Sequence, residues 1–252
     1  MSLNPESRIP NPVSHTLFIS DLHLSPARQR INAVFFDFLA RTAPQAEALY
    51  ILGDLFEYWA GDDDTGPELN RNVPAALKQL AAAGVRVYLM HGNRDFLIGE
   101  RFLAACGAAL IGDPLLMDFY GRPTLLMHGD TLCTDDVDYQ RFRAQVRAAG
   151  WQCEFLAQPL ARRRQTIEAL RTESERHKRD KPAAVMDVNA VAVGQVLRQH
   201  GYPRLIHGHT HRPARHEHLV DNHACERWVL PDWYERGGYL RCDATGCTAV
   251  SL

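Results

Sequence analysis

The sequence lacks any run of about 18 apolar residues, so no segment reads as a membrane span. It also lacks a marked charge of either sign. A net charge of −2 excludes the global basic field of a nucleic-acid binder. Cysteine is sparse and unpatterned. Cys106, Cys133, Cys153, Cys225, Cys242 and Cys247 form no C-x-x-C pair and no disulfide framework, and reduced thiols in a cytosolic compartment are expected. The opening "MSLNPESRIPNP" has no apolar core of the kind a signal peptide needs. Repeats and low-complexity tracts are missing too. What remains is a chain of 252 residues, 46% hydrophobic, long enough for one large domain or a domain with an insertion.

Short apolar runs alternate with helical patterns. Strands are expected at His15 to Ser20, Ala48 to Leu52, Val85 to Met90, Thr124 to Met127 and Leu205 to Ile206. Between them, Ile31, Val34, Phe35, Phe38 and Leu39 recur at helical spacing. "NVPAALKQLAAAG" reads as a helix stopped by Gly84. The alternation predicts an α/β fold. The tail, "GYLRCDA" and "CTAVSL", predicts a second, mostly antiparallel sheet. From Asp136 to Pro182 strand-like runs disappear and "ARRRQTIEALRTESERHKRDK" dominates. That stretch reads as a helical insertion between a core at 1–135 and a core at 183–252.

The carboxyl end of each expected strand carries polar residues beside a turn or a glycine. They are Asp21 and His23 in "SDLH", Asp54 in "GDLFE", Asn93, Arg94 and Asp95 in "HGNRD", His128 in "HGD", and His207 and His209 in "HGHTH". A lone Asp after a strand is usually a turn or helix cap. Five such tips in series point instead to one site, because open α/β sheets bind ligands at strand ends. Asp21, His23, Asp54, Asn93, His128, His207 and His209 offer enough N/O donors for two divalent ions with one bridging aspartate. Mixed carboxylate and imidazole ligands suit Mn²⁺, Fe²⁺, Co²⁺ or Zn²⁺. A closed structural zinc site would use four Cys or His, unlike this larger, oxygen-rich set. Paired metals clamp phosphate and activate water, so phosphoryl chemistry is expected.

The ordered series D-x-H, G-D, G-N-R-D, H-G-D and G-H-T-H resembles the calcineurin-like metallophosphoesterases. The resemblance spans Asp21 to His211 and implies a two-sheet sandwich flanked by helices. It implies one metal held by Asp21, His23, Asp54 and His209, and another by Asp54, Asn93, His128 and His207. Arg94 stands where most members carry His. With "GDLFEYWAGDDD", "HGDTLCTDD" and "MDVN", it makes the chain similar to a branch of lipid A pathway hydrolases. That branch implies cleavage of UDP-2,3-diacylglucosamine to UMP and 2,3-diacylglucosamine 1-phosphate by water attack at the α-phosphorus. It implies Mn²⁺ as the usual metal. It also implies a peripheral place on the cytoplasmic face of a Gram-negative inner membrane, with no obligate protein partner.

By the same resemblance, Asp54, Asn93 and Arg94 serve catalysis. Asn93, Arg94, Asp136, Ser174, Lys181 and His207 contact substrate, and Lys178 replaces an expected asparagine. A long cation such as Arg94 can reach a diphosphate. Lys181 and the insertion's arginines could meet its second phosphate, although charge runs are usually solvated faces. Trp151, Phe155, Leu156, Leu160, Ile167 and Leu170 could line an acyl slot or simply pack. His211 is expected to make a supporting hydrogen bond, and Asp62, Asp63 and Asp64 an exposed turn. Two rival readings stand beside this one: a phosphoesterase of the same fold acting on a soluble nucleotide or phosphoprotein, and a non-catalytic scaffold of that fold. Scaffolds tend to lose ligands, whereas all seven positions are filled here.

Overall fold

The computed structural model describes residues 14–180 and 185–252, without the side chains of 173–180. In chain order the elements are β1 (Thr16–Ile19), α1 (Gln29–Arg41), β2 (Ala48–Leu52), α2 (Glu68–Ala82), β3 (Arg86–Met90), α3 (Glu100–Cys106), β4 (Ala108–Leu110), β5 (Leu115–Phe119) and β6 (Arg122–Met127). They continue with α4 (Val137–Val146), α5 (Ala149–Leu156), α6 (Leu160–Asp180), α7 (Ala190–Gln199), β7 (Arg204–His207), β8 (Ala214–Val220), β9 (His223–Val229), β10 (Gly238–Asp243) and β11 (Gly246–Ser251).

Two sheets form, in the orders β11-β10-β1-β2-β3-β4 and β5-β6-β7-β9-β8. In the first, β1 to β4 run parallel while β10 lies antiparallel to β1 and β11 to β10. In the second, β6, β7 and β9 run parallel, with antiparallel partners at both edges. The two-sheet α/β expectation holds, with one correction. The tail strands extend the first sheet instead of building the second, because β10 takes the free edge of β1 and turns Leu240 and Cys242 into the sandwich.

The uninterrupted apolar character of the central strands follows from burial on both faces. Phe18, Tyr50, Leu52 and Met90 meet Phe119, Leu126 and Ile206 between the sheets. Their strand neighbours Leu17, Ile19, Leu49, Ile51 and Leu89 face outward, against Phe35, Phe38, Val73 and Leu77 of α1 and α2. On the far side, Leu125 and Leu205 pack on Val193 and Leu197 of α7. Each such large side chain contributes roughly 1.5–3 kcal/mol by burial. Helix α2 starts one turn before the expected Asn72, with Pro74 inside it. Burial of Leu69 and Val73 outweighs the backbone hydrogen bond that Pro74 cannot make.

The cysteine expectation also needs correction. Cys242 and Cys247 face each other across the β10–β11 hairpin, Cα atoms 4.1 Å apart, and are joined as a disulfide. The register that makes them neighbours is invisible in their spacing. Cys106, Cys133, Cys153 and Cys225 are free thiols.

Helices α4 to α6 follow one another between Val137 and Asp180, and a loop of the first sheet clasps α6. Asp63 and Asp64 bind Arg163 and Arg164 of α6, with Arg163 Nη1 2.9 Å from Asp63 Oδ1 and Arg164 Nε 3.2 Å from Asp64 Oδ2. Arg163 also donates to the Ala60 carbonyl and is buried. Asp62 accepts from the backbone N–H groups of Gly99 and Phe102, capping α3 from a distant loop. The acidic triplet does form a turn, with Asp63 exposed as expected, but its side chains also serve as anchors. Phe155, which could line an acyl slot or simply pack, is buried in the first core and stacks on Trp151 with ring centroids 4.7 Å apart.

Candidate metal centre

The ends of β1, β2, β3, β6 and β7 converge on one point. Backbone bonds zip the loops after β1 and β2 together: Asp21 N–H donates to Gly53, His23 N–H to Asp54 and Leu24 N–H to Leu55. Room for this approach comes from glycine. A Cβ on Gly53, whose φ is +91°, would lie 2.6 Å from His128 Nδ1, and one on Gly208 would lie 2.2 Å from Asp21 Oδ2. The functional residues are bent as sharply. Asp21, His23, Asp54, His209 and His211 all have positive φ, between 49° and 69°. Left-handed backbone at non-glycine residues costs about 1 kcal/mol or more each and clusters at functional sites.

Asp21, His23, Asp54 and His128 are almost fully buried. His23 Nε2 lies 3.8 Å from Asp54 Oδ2 and 4.0 Å from Asp21 Oδ1. His128 Nε2 is 3.9 Å from Asp54 Oδ1 and donates to Asn93 Oδ1 at 3.0 Å. His209 Nδ1 donates to the same oxygen at 2.9 Å, and its backbone N–H donates to Asp21 Oδ2 at 2.8 Å. Two groups could hold a cation among the described residues: Asp21, His23 and His211, and Asp21, Asp54 and His128. Asp21 is common to both, where the resemblance put Asp54 in the shared position.

His211 enters the centre more deeply than expected. Its Nε2 lies 3.3 Å from Asp21 Oδ1 and 3.2 Å from His23 Nε2. His207 is turned away: Nδ1 donates to the Gly208 carbonyl at 2.9 Å, and Nε2 accepts from Arg227 Nη1 at 3.1 Å. Arg94 backbone N–H donates to Asp54 Oδ1 at 2.8 Å, and its guanidinium lies 3.8 Å from Glu57. Asp136 caps the N-terminus of α4. Ser174 and Lys178 fall on α6, where only the backbone is described, and Lys181 lies outside the described residues.

Electrostatics match the geometry. Burial opposes ionisation of Asp21, but hydrogen bonding and charge from His211, with His128 and His23, hold it far below the usual carboxylate range. Burial likewise opposes a charged His128, yet Asp54, Asp130 and Asp21 push it up to about 9. Burial takes His207 down to about 3 and, with the His128 charge, His209 down to about 4. Both are neutral imidazoles, the form that ligates metal. Asp21 Oδ1 is buried yet accepts no hydrogen bond of good geometry. Buried carboxylates ringed by imidazoles with an unmet acceptor fit a divalent cation.

Two residues were not singled out as ligands or substrate contacts, yet they hold the centre together. Asp95 accepts backbone N–H bonds from Leu55 at 2.7 Å, Gly92 at 2.9 Å, Asp54 at 3.3 Å and Phe56 at 3.4 Å. Glu57 lies 3.3 Å from His23 Nδ1. Their signal was their place inside "HGNRD" and "GDLFE".

With this geometry, the chain belongs to the calcineurin-like phosphoesterase family, whose model matches residues 14–213. Within that class its similarity is narrower. It is 55% identical over 230 residues to a UDP-2,3-diacylglucosamine hydrolase of Aromatoleum aromaticum, covering 91% of this chain and 94% of the relative. It is 50% identical to proteins of the same name from Cellvibrio japonicus (92% of this chain, 96% of the relative) and Stenotrophomonas maltophilia (94% and 98%). A solved archaeal phosphodiesterase, 13% identical, covers 94% of this chain and 99% of its own at a TM-score of 0.46.

Proposed function

We propose that this chain is a metal-dependent hydrolase that cleaves the diphosphate of UDP-2,3-diacylglucosamine to UMP and 2,3-diacylglucosamine 1-phosphate. The observation that carries the reading is the convergence of two buried carboxylates, Asn93 and several imidazoles on one point. Relatives of that name, about half identical over nearly the full chain, supply the substrate. Asp21, His23, Asp54, Asn93, His128 and His209 would hold two divalent ions, Mn²⁺ by family habit. His211 is a further donor, and His207 joins once its ring leaves Arg227. Such ions, when bound, neutralise phosphate oxygens and make water a nucleophile at neutral pH.

The chain's own groups do the rest. Asp95 keeps the Asp54 loop in place, and Asn93 Oδ1 aligns His128 and His209. Arg94 offers a guanidinium at the edge of the centre, suited to charge that grows on a diphosphate during attack. The insertion at 136–182 is read as a cap, and the family resemblance would give Asp136, Ser174, Lys178 and Lys181 contacts with substrate. Val137, Phe142 and Leu156 of α4 and α5 are exposed apolar side chains. They suit a peripheral seat on a membrane surface, at the cytoplasmic face of an inner membrane, where a diacylated substrate resides. No helix among the described residues is long and apolar enough to cross a membrane.

The test compares UMP release from UDP-2,3-diacylglucosamine with release from soluble UDP-sugars, in Mn²⁺ and in ¹⁸O water. Strong preference for the acylated substrate and label in UMP are expected. Equal turnover of soluble UDP-sugars would sink the substrate, and label in the sugar phosphate would sink attack at the α-phosphorus. Asp54→Ala and His207→Ala should both lose hydrolysis; wild-type rates in both would end the enzyme reading.

A further inference from the structure

Glu57 stands at a crossing that the proposed chemistry does not use. Its backbone N–H donates to the Leu24 carbonyl at 3.0 Å, fixing it against the loop that carries His23. One carboxylate oxygen, Oε2, lies 3.3 Å from His23 Nδ1. The other, Oε1, accepts from Arg171 Nη2 at 2.9 Å. Arg171 belongs to α6, and its guanidinium also sits 5.5 Å above the Tyr58 ring. Glu57 is itself mostly buried, and Arg94 is 3.8 Å from the same Oε1. A carboxylate on the outer nitrogen of a ligating histidine fixes its ring and tautomer and raises its basicity. Here the candidate carboxylate lies beside His23 Nδ1, a buried nitrogen that makes no hydrogen bond of good geometry, and is held from its other side by the insertion.

We infer that Glu57 is a positioning residue that couples the seating of α6 to the metal centre, so that metal binding and cap docking strengthen one another. The inference rests on the reading of Asp21 and His23 as metal ligands. With Arg171 in place, Glu57 points at His23 and leaves His23 Nε2 aimed between Asp21 and Asp54. Without Arg171, Glu57 loses its short charge-assisted bond and its fixed orientation. Linkage is reciprocal: what α6 does for metal affinity, metal must do for α6.

The sign of one substitution separates this from simple charge effects. Arg171→Met removes a positive charge near a cation site, which by Coulomb's law alone would tighten metal binding. Coupling through Glu57 predicts weakening instead. Mn²⁺ titration of the metal-free protein by calorimetry is the measurement. Glu57→Gln is expected to lower Mn²⁺ affinity about tenfold. Arg171→Met should lower it roughly threefold, by a fraction of the Glu57 effect. Arg171→Lys should restore part of the loss, and the double variant should match Glu57→Gln alone.

Amide exchange across 160–172 gives the reciprocal readout. Mn²⁺ should slow it in the wild type and not in Glu57→Gln. Far-ultraviolet dichroism of each variant checks that the fold is intact. Unchanged or tighter Mn²⁺ binding by a folded Arg171→Met, or equal protection of α6 in Glu57→Gln, overturns the coupling. A wild-type protein that takes up no Mn²⁺ overturns the metal assignment and the coupling together.

Discussion

Replacing Asp95 by alanine should unfold the centre from beneath. The carboxylate is fully buried and gathers four backbone N–H groups, two of them at 2.7 and 2.9 Å. Bonds to a charged acceptor contribute about 1.5–3 kcal/mol each, so the two short ones together account for about 3–6 kcal/mol. A partial offset comes from the carboxylate itself. Burial first, and the charge of Asp54 second, raise its pKa above the usual range, so its ionised form is held at a cost. A net loss of about 3 kcal/mol is the expected outcome for Asp95→Ala.

Urea unfolding of the metal-free protein at pH 7 would show this as a lower midpoint at an unchanged slope. Asp95→Asn keeps an acceptor of the same shape and should fall between wild type and alanine. Metal affinity should drop in step, since Leu55 and Asp54 lose their anchor. An alanine variant within about 0.5 kcal/mol of wild type, the range of an ordinary surface change, would refute this account of Asp95.

Further outcomes follow from the same geometry. Arg94→Ala should lower kcat by about 10² in the UMP-release assay if its guanidinium meets charge formed in the transition state; an unchanged kcat with raised KM would place it in ground-state binding. Glu57 has a folded pKa of about 2 despite its burial, held down by His23, Arg94 and Arg171. A depressed carboxylate stabilises above its unfolded pKa and loses that stabilisation as pH falls through the folded one. Acid unfolding between pH 4.5 and 2 should therefore be less steep in Glu57→Gln, and identical pH–stability curves would contradict this. Arg163→Met should loosen α6, read as faster amide exchange over 160–172 with little change in α1; uniform exchange throughout would show that the clasp to Asp63 anchors nothing.

The strands that carry the site were legible because they are buried on both faces, so that Leu49 to Leu52 and Leu205 to Ile206 read as short apolar runs between turn signals. Strands β8 and β9 were not, since "ARHEHLV" and "HACERWV" are wet on one face and rich in charge and histidine. Asp21, Asp54 and His128 were legible through their strand-end positions. The roles of Glu57, Asp63 and Asp95 were not, because each is defined by partners forty to more than a hundred residues away or by backbone groups that every residue has. The orientation of His207 depends on Arg227, a neighbour created by the pairing of β7 with β9.

The left-handed turns at Asp21, His23, Asp54, His209 and His211 carry a consequence for anyone who breeds this protein for robustness. Each position would be relaxed by glycine, the residue that adopts such turns freely. A library selected only for folding or heat tolerance should therefore drift toward glycine at the five positions where chemistry is concentrated. Ranking variants by melting temperature would reward disarmed proteins, and the left-handed turns of the centre would be the first places to go silent.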